Sequence, residues 1–259
     1  AIAQRNLGEV EKANSDLKRA RILGYDGEIT PTQVTKQPAS TSPSMNNTNA
    51  SQNTSVALPD VVKQLERGVV TVQTDLGVGT GFLIDNSGII TTNHHVVEGA
   101  QEIKVQFGNG LVVEVDGMLG AYPGYDIVFL KIKLPKGGYP KALSLVQPNH
   151  VIEKAQEIYV IGAPNGNEFS FVKGYVVKAR SGAETISAWK RIDRVNFNYD
   201  VNCPWIEHDT RVDSGNSGSP LMDASGNVLA MHTLSLRSVK NVPYRYAVDG
   251  RVFGELLAK

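Results

Sequence analysis

Among its 259 residues the chain holds one cysteine, Cys203, so no internal disulfide can staple it and the fold must stand on its core. A chain of this length can bury such a core. One cysteine suits a cytosolic protein and a disulfide-poor exported one equally, so it does not decide the compartment. No apolar run approaches the ~18 residues a membrane-spanning helix needs. Charge of one sign is also missing. Lys+Arg and Asp+Glu both number 26, so there is no bulk electrostatic footprint for nucleic acid or anionic lipid. No methionine precedes Met45, and no charged segment followed by an apolar one opens the chain. The expectation is a piece of a longer precursor. His94, His95, His150, His208 and His232 show no zinc-type spacing, so no metal is expected, and no organic cofactor either.

What is present falls into three zones. Over residues 9–23, Val10, Ala13, Leu17 and Ala20 recur at helical steps between charged residues, and Gly24 is a stop signal. This zone, 1–30, resembles the second helix of a tetratricopeptide repeat: Gly8 opens it, with Ala13 and Ala20 at the small positions. The resemblance implies that earlier repeats precede it, since such units need about three neighbours to bury their faces; it also implies a protein partner for that helical zone. Residues 31–58 are dominated by Ser, Thr, Asn, Gln and Pro, with Lys36 the only charge and no aromatic. Such a segment cannot bury enough apolar surface to offset its ordering entropy, so it reads as a flexible tether.

Residues 59–259 read as an all-β domain. Ile103, Val105 and Phe107 alternate with polar residues, as do Val195, Phe197, Tyr199 and Val201, which predicts strands with one buried face. Asp126–Leu134 and Glu157–Ile161 are more continuously apolar and predict central strands. Turn signals at 85–88, 109–110, 164–166 and 223–226 separate the runs. Leu221 to Leu236 reads as a hairpin, and Asp249 to Ala258 carries helical spacing. About a dozen short strands with few helices imply a barrel or sandwich.

Three segments carry reactive side chains. In Asp213-Ser214-Gly215-Asn216-Ser217-Gly218-Ser219-Pro220-Leu221, a serine sits in a glycine-rich turn. A serine hydroxyl is a poor nucleophile without a base, and its attack on a carbonyl needs donors for the oxyanion. The amides of Gly215 and Ser217, with Asn216 between them, are candidates for that role, because a glycine can turn its N–H into the site. Thr92-Asn93-His94-His95-Val96-Val97 supplies an imidazole at the end of an apolar strand, a base suited to neutral pH. Asp126 opens the run Ile127-Val128-Phe129-Leu130-Lys131-Ile132, where an unpaired carboxylate would be costly and an imidazole N–H would relieve it. Cys203 lies outside any glycine-rich elbow. Gly77-Val78-Gly79-Thr80-Gly81 lacks the last glycine and the helix of a nucleotide-binding turn.

The order His95, Asp126, Ser217 is that of the chymotrypsin template. With Gly79-Thr80-Gly81-Phe82-Leu83-Ile84, Val160-Ile161-Gly162-Ala163-Pro164-Asn165-Gly166 and Gly174-Tyr175-Val176-Val177, these segments resemble the bacterial chymotrypsin-like serine endopeptidases, HtrA-type and glutamyl endopeptidases in particular, over about residues 60–258. The resemblance implies two six-stranded antiparallel β-barrels, at about 68–140 and 150–248, with the site between them. It selects His95 over His94, and it implies polypeptide substrates and an exported bacterial location. It also places Arg211, Val212, His232 and Thr233 at the substrate pocket. Arg211 stands where trypsin-like enzymes carry an acid, which speaks against cleavage after Lys or Arg. A histidine at His232 is shared with glutamyl endopeptidases and suggests an acidic preference, against which stand Val212, the nearby Asp213, and the plainer reading of His232 as a packed wall. Asn216 cannot form the ion pair by which a new N-terminus activates digestive enzymes. The alternatives are a catalytically silent binding protein on the same fold, or an adaptor working through its helical zone.

Overall fold

The computed structural model describes residues 58–134, 137, 139–163, 169–192, 198–238 and 240–259. The helix expected over 9–23, the half-repeat of zone 1–30 and the tether of 31–58 (apart from Leu58) lie outside the described residues. So does the turn at 164–166.

Chain order runs α1 (Leu58–Glu66), β1 (Val69–Thr74), β2 (Val78–Asp85), β3 (Ile89–Thr92), α2 (His94–Val97), β4 (Ile103–Phe107), β5 (Val112–Tyr122), a 3-10 turn (Pro123–Tyr125) and β6 (Ile127–Ile132). These strands close into a barrel in the order β1-β2-β3-β6-β5-β4. Then follow β7 (Ser144–Leu145), β8 (Glu157–Gly162), β9 (Ser170–Arg180), α3 (Gly182–Ile192), β10 (Trp205–His208), β11 (Pro220–Met222), β12 (Asn227–Arg237), β13 (Pro243–Asp249), a 3-10 turn (Gly250–Val252) and α4 (Phe253–Leu257). The second sheet runs β11-β8-β9-β10-β13-β12, and β11 also pairs with β12, which closes a second six-stranded ring. The short β7 adds to β12 in parallel. The two six-stranded barrels agree with the architecture the resemblance implied, and the hairpin and helical tail read from the residues are present as β11–β12 and α4.

The continuous apolar runs have a physical reason. In β6, Val128, Leu130 and Ile132 pack with Val70, Val72, Leu83, Ile90, Val105 and Phe107 as the first barrel's core. The alternate residues Ile127 and Phe129 pack with Ile161, Met231, Trp205 and Phe253, drawn from the second barrel and the tail. Successive side chains point to opposite faces of a strand. A strand between a barrel interior and a neighbouring barrel is therefore apolar on both. The second barrel's own core holds Ile158, Val160, Val176, Ile206, Leu221, Leu229 and Ala247. At the tail, the Phe253 ring lies 6.1 Å from that of Phe82, so α4 ties the chain end back to β2.

Two expectations need correcting. Residues 198–201, the described part of the strand expected at Val195–Val201, form no strand; the next strand begins at Trp205. Tyr199 packs instead into an aromatic cluster with Trp189 and Trp205, while Val201 is 58% exposed, so the alternation marked neither a strand nor one buried face. Helix α3 was not anticipated. Its start is a capping box: the Ser181 amide donates to Glu184 Oε2 (3.1 Å) while the Glu184 amide donates to Ser181 Oγ (3.3 Å). Its buried residues are Gly182, Thr185, Ala188 and Trp189.

Candidate active site

β3 and β6 pair antiparallel, with Thr92 opposite Val128. The end of β3 and the start of β6 therefore share one rim of the first barrel, and that rim carries His95 and Asp126. Asp126 adopts the left-handed conformation (φ 54°, ψ 40°) as it closes the 3-10 turn, one of the few tolerated by a short polar residue. Its carbonyl accepts from the His94 amide (3.1 Å) and from Asn93 Nδ2 (3.0 Å). Both orient the turn. The carboxylate is buried at 3% exposure. Its Oδ1 accepts from the His95 amide (2.8 Å), and its Oδ2 lies 2.6 Å from His95 Nδ1. The imidazole thus donates from Nδ1, which leaves Nε2 as its acceptor.

The Gly215–Ser219 loop hangs on the second barrel and is fastened to the first. Gly218 (φ 89°) gives its amide to His232 O (2.8 Å). A Cβ there would stand 1.9 Å from Thr80 O, so only glycine fits. Thr80, on β2, makes three bonds to the far side of the cleft. Its amide donates to Ser217 O (2.8 Å), its hydroxyl donates to Gly215 O (2.7 Å), and that hydroxyl accepts from the Ala163 amide (3.0 Å). With the carbonyls of Gly215 and Ser217 held towards β2, their amides are free of protein partners among the described residues. Gly215 reaches this arrangement through a positive φ of 93°. Asn216 departs from the sequence expectation. Its amide is spent on Asp213 O (3.1 Å), and its Nδ2 bonds the same carbonyl (3.0 Å). It therefore braces the loop and offers no donor to an oxyanion. Gly79 sits between the two halves of the site: a Cβ on it would meet Val96 Cγ1 at 2.7 Å and Ser217 O at 3.2 Å.

Of the expected pocket residues, Val212 and His232 are buried and Arg211 is exposed. Thr233 is not a pocket donor. Its hydroxyl donates to Met231 O (3.1 Å) and accepts from Asn93 Nδ2 (3.0 Å), which supports the Asp126 turn from behind. His232 Nδ1 lies 3.1 Å from His208 Nε2, and His208 Nδ1 lies 2.7 Å from Thr210 Oγ1. Burial first, and neighbouring positive groups including Arg245 second, push both imidazoles far below the usual histidine range. Both are neutral at physiological pH. Cys203 is buried, and burial drives its thiol well above the reactive range.

Thr80 and Asn93 stand inside the motifs with little in the sequence to mark what they do. A hydroxyl residue between Gly79 and Gly81 was the available signal for Thr80, since flanking glycines admit close backbone approach.

The trypsin-like peptidase domain family matches residues 79–231, and the chain belongs to it. The HhoA serine protease of Synechocystis sp. is 29% identical over 175 residues, 67% of this chain and 41% of that protein. A DegP-like periplasmic serine endoprotease of Halomonas elongata is 32% identical over 159 residues, 60% of this chain and 29% of that protein. The solved structure of Rv3671c from M. tuberculosis, in an inactive form, superposes with a TM-score of 0.62 at 22% identity, covering 81% of this chain and 94% of the other. The chain thus spans well under half the length of the two curated relatives.

Proposed function

We propose that the chain is a serine endopeptidase in which Ser217, His95 and Asp126 act as nucleophile, base and base-orienting acid. The observation that supports this most is the buried Asp126 carboxylate 2.6 Å from His95 Nδ1, on the cleft rim beside the loop that carries Ser217. Ser217 Oγ attacks a peptide carbonyl as His95 Nε2 takes its proton. The amides of Gly215 and Ser217 stabilise the tetrahedral oxyanion. His95 then protonates the leaving amine, and water hydrolyses the acyl-enzyme with His95 again as base. Asp126 keeps the imidazole in the needed tautomer and stabilises its cation.

The residue preference belongs to the same proposal. Neutral His232 with Val212 presents a wall without fixed charge, so the site selects no acidic side chain before the cut. The relatives' names, which include a periplasmic endoprotease, support an exported location; among the described residues no helix is long and apolar enough to cross a membrane. A protein partner for the N-terminal zone is proposed on its repeat-like pattern alone, and recovery of the upstream sequence tests it: no helical repeats there would remove it. Incubation with a peptide library tests the activity and the pocket together. Products are expected, they stop once a fluorophosphonate has labelled Ser217, and Glu and Ala before the cut are used comparably. Neither products nor label would end the peptidase reading, and a strong preference for Glu would overturn the uncharged wall.

A further inference from the structure

The Asp126 bonds described so far run to His95, at its amide and its ring. A buried carboxylate is stable only when charge-assisted donors surround it, so its other neighbours matter. The Tyr199 side chain, from the second barrel, hydrogen-bonds the Asp126 side chain. Burial first, and the Asp126 charge second, push the phenol far above its usual range. It therefore keeps its proton and can only donate to the carboxylate.

Packing fixes the Tyr199 ring from several sides. It meets Trp205 at 5.0 Å and Trp189 at 5.5 Å, both edge-on. Trp189 in turn meets Trp205 at 4.9 Å and Tyr246 at 5.2 Å. Trp189 comes from α3 and Trp205 from β10, so two elements hold the ring, and Tyr246 from β13 backs Trp189. The backbone is fastened at the same place. The Asp200 amide donates to Gly124 O (2.8 Å), within the 3-10 turn that Asp126 closes. The Cys203 amide donates back to Asp200 O (3.0 Å). Asp126 is thus clamped between its own barrel, which supplies His95 and Asn93, and a rigid aromatic cluster of the other. The remaining titratable groups around the hydroxyl are Cys203 and, beyond it, Asp200 and Asp249.

The geometry points to Tyr199 as a positioning residue: its hydroxyl holds the Asp126 carboxylate in the plane from which it orients His95, and so couples the second barrel's aromatic cluster to the catalytic base. This inference rests on the peptidase reading of the same site. A phenol donor competes with the imidazole N–H for the carboxylate's charge. Its loss leaves Asp126 less restrained in place and a stronger acceptor towards His95.

Tyr199→Phe keeps the ring in its cluster and removes only the donor. In the whole chain it is expected to lower kcat about tenfold with KM unchanged, the size set by a hydrogen bond to a charged group. The NMR resonance of the His95 Nδ1 proton is expected to move downfield, a readout that packing alone would not shift. Tyr246→Phe removes a hydroxyl from the same cluster, one that reaches Trp189, and is expected to leave kcat and the resonance as in the unaltered chain. An unmoved resonance in Tyr199→Phe, or a kcat within about twofold of the unaltered chain, overturns the inference, as does the same change in Tyr246→Phe. The two readings separate because the resonance needs no turnover: an unaltered chain that cleaves nothing removes the peptidase reading, while the downfield shift still supports the Tyr199–Asp126–His95 chain of bonds.

Discussion

Ser217→Ala is expected to lower peptide-bond turnover about a millionfold, because the nucleophile, its base and the base's orienting acid act as one unit. Residual catalysis, about a thousandfold or more over water, would come from the oxyanion donors and from substrate binding. The substitution touches neither of the loop's fastenings, since Thr80 holds it through the main-chain carbonyls of Gly215 and Ser217. The melting temperature is therefore expected to stay within a few degrees of the unaltered chain. Initial rates on a peptide substrate measure the effect; a loss smaller than about a hundredfold would falsify the assignment of Ser217 as nucleophile.

Asp126→Asn is expected to cost about ten thousandfold in kcat. The reason lies in which atoms donate. His95 Nδ1 now faces a carboxylate oxygen at 2.6 Å and gives it a proton. An amide nitrogen placed there would donate instead. The imidazole would turn its acceptor to Nδ1 and its proton to Nε2, leaving nothing to receive the serine proton. The remaining amide oxygen can still accept from the His95 backbone, so the turn is expected to hold its shape. Single-turnover measurements check this. If Asp126→Asn retained a tenth or more of the rate, Asp126 would be a structural carboxylate only.

The candidate triad was legible in the sequence because each proposed member sits in a contiguous string whose neighbours serve the same local task. Thr92 ends β3 three residues before His95, and Ile127 starts β6 directly after Asp126, so short segments encode both positions. The barrels were legible through period two, and β6 and β8 through the loss of that period where both faces are covered. What stayed hidden depends on partners far apart along the chain. Thr233 looks like a pocket residue until its hydroxyl is seen to serve Asn93, 140 positions away. Thr80 bonds a loop 135 positions on. Tyr199 satisfied an alternating pattern and still lies outside any strand, and Val201 of the same pattern is exposed, because alternation shows where a strand could pair and not whether the backbone finds a ladder partner. Helix α3 had a legible start at Ser181 and Glu184, but its buried residues are Gly182, Thr185, Ala188 and Trp189, too weakly apolar a stripe to stand out between strand-like runs.

The paired rings of His208 and His232 make the molecule sensitive to mild acid. In the folded chain both refuse a proton, since burial and Arg245 oppose a charge there. Once unfolded they titrate in the ordinary range near 6.5. Below that pH the open chain binds protons that the native one cannot, so stability is whole above neutrality and drains away as the solution is acidified. Thermal melting between about pH 7 and 5 should show the midpoint falling before most acidic side chains are protonated. A flat profile would mean that this pair takes up its protons without leaving the fold.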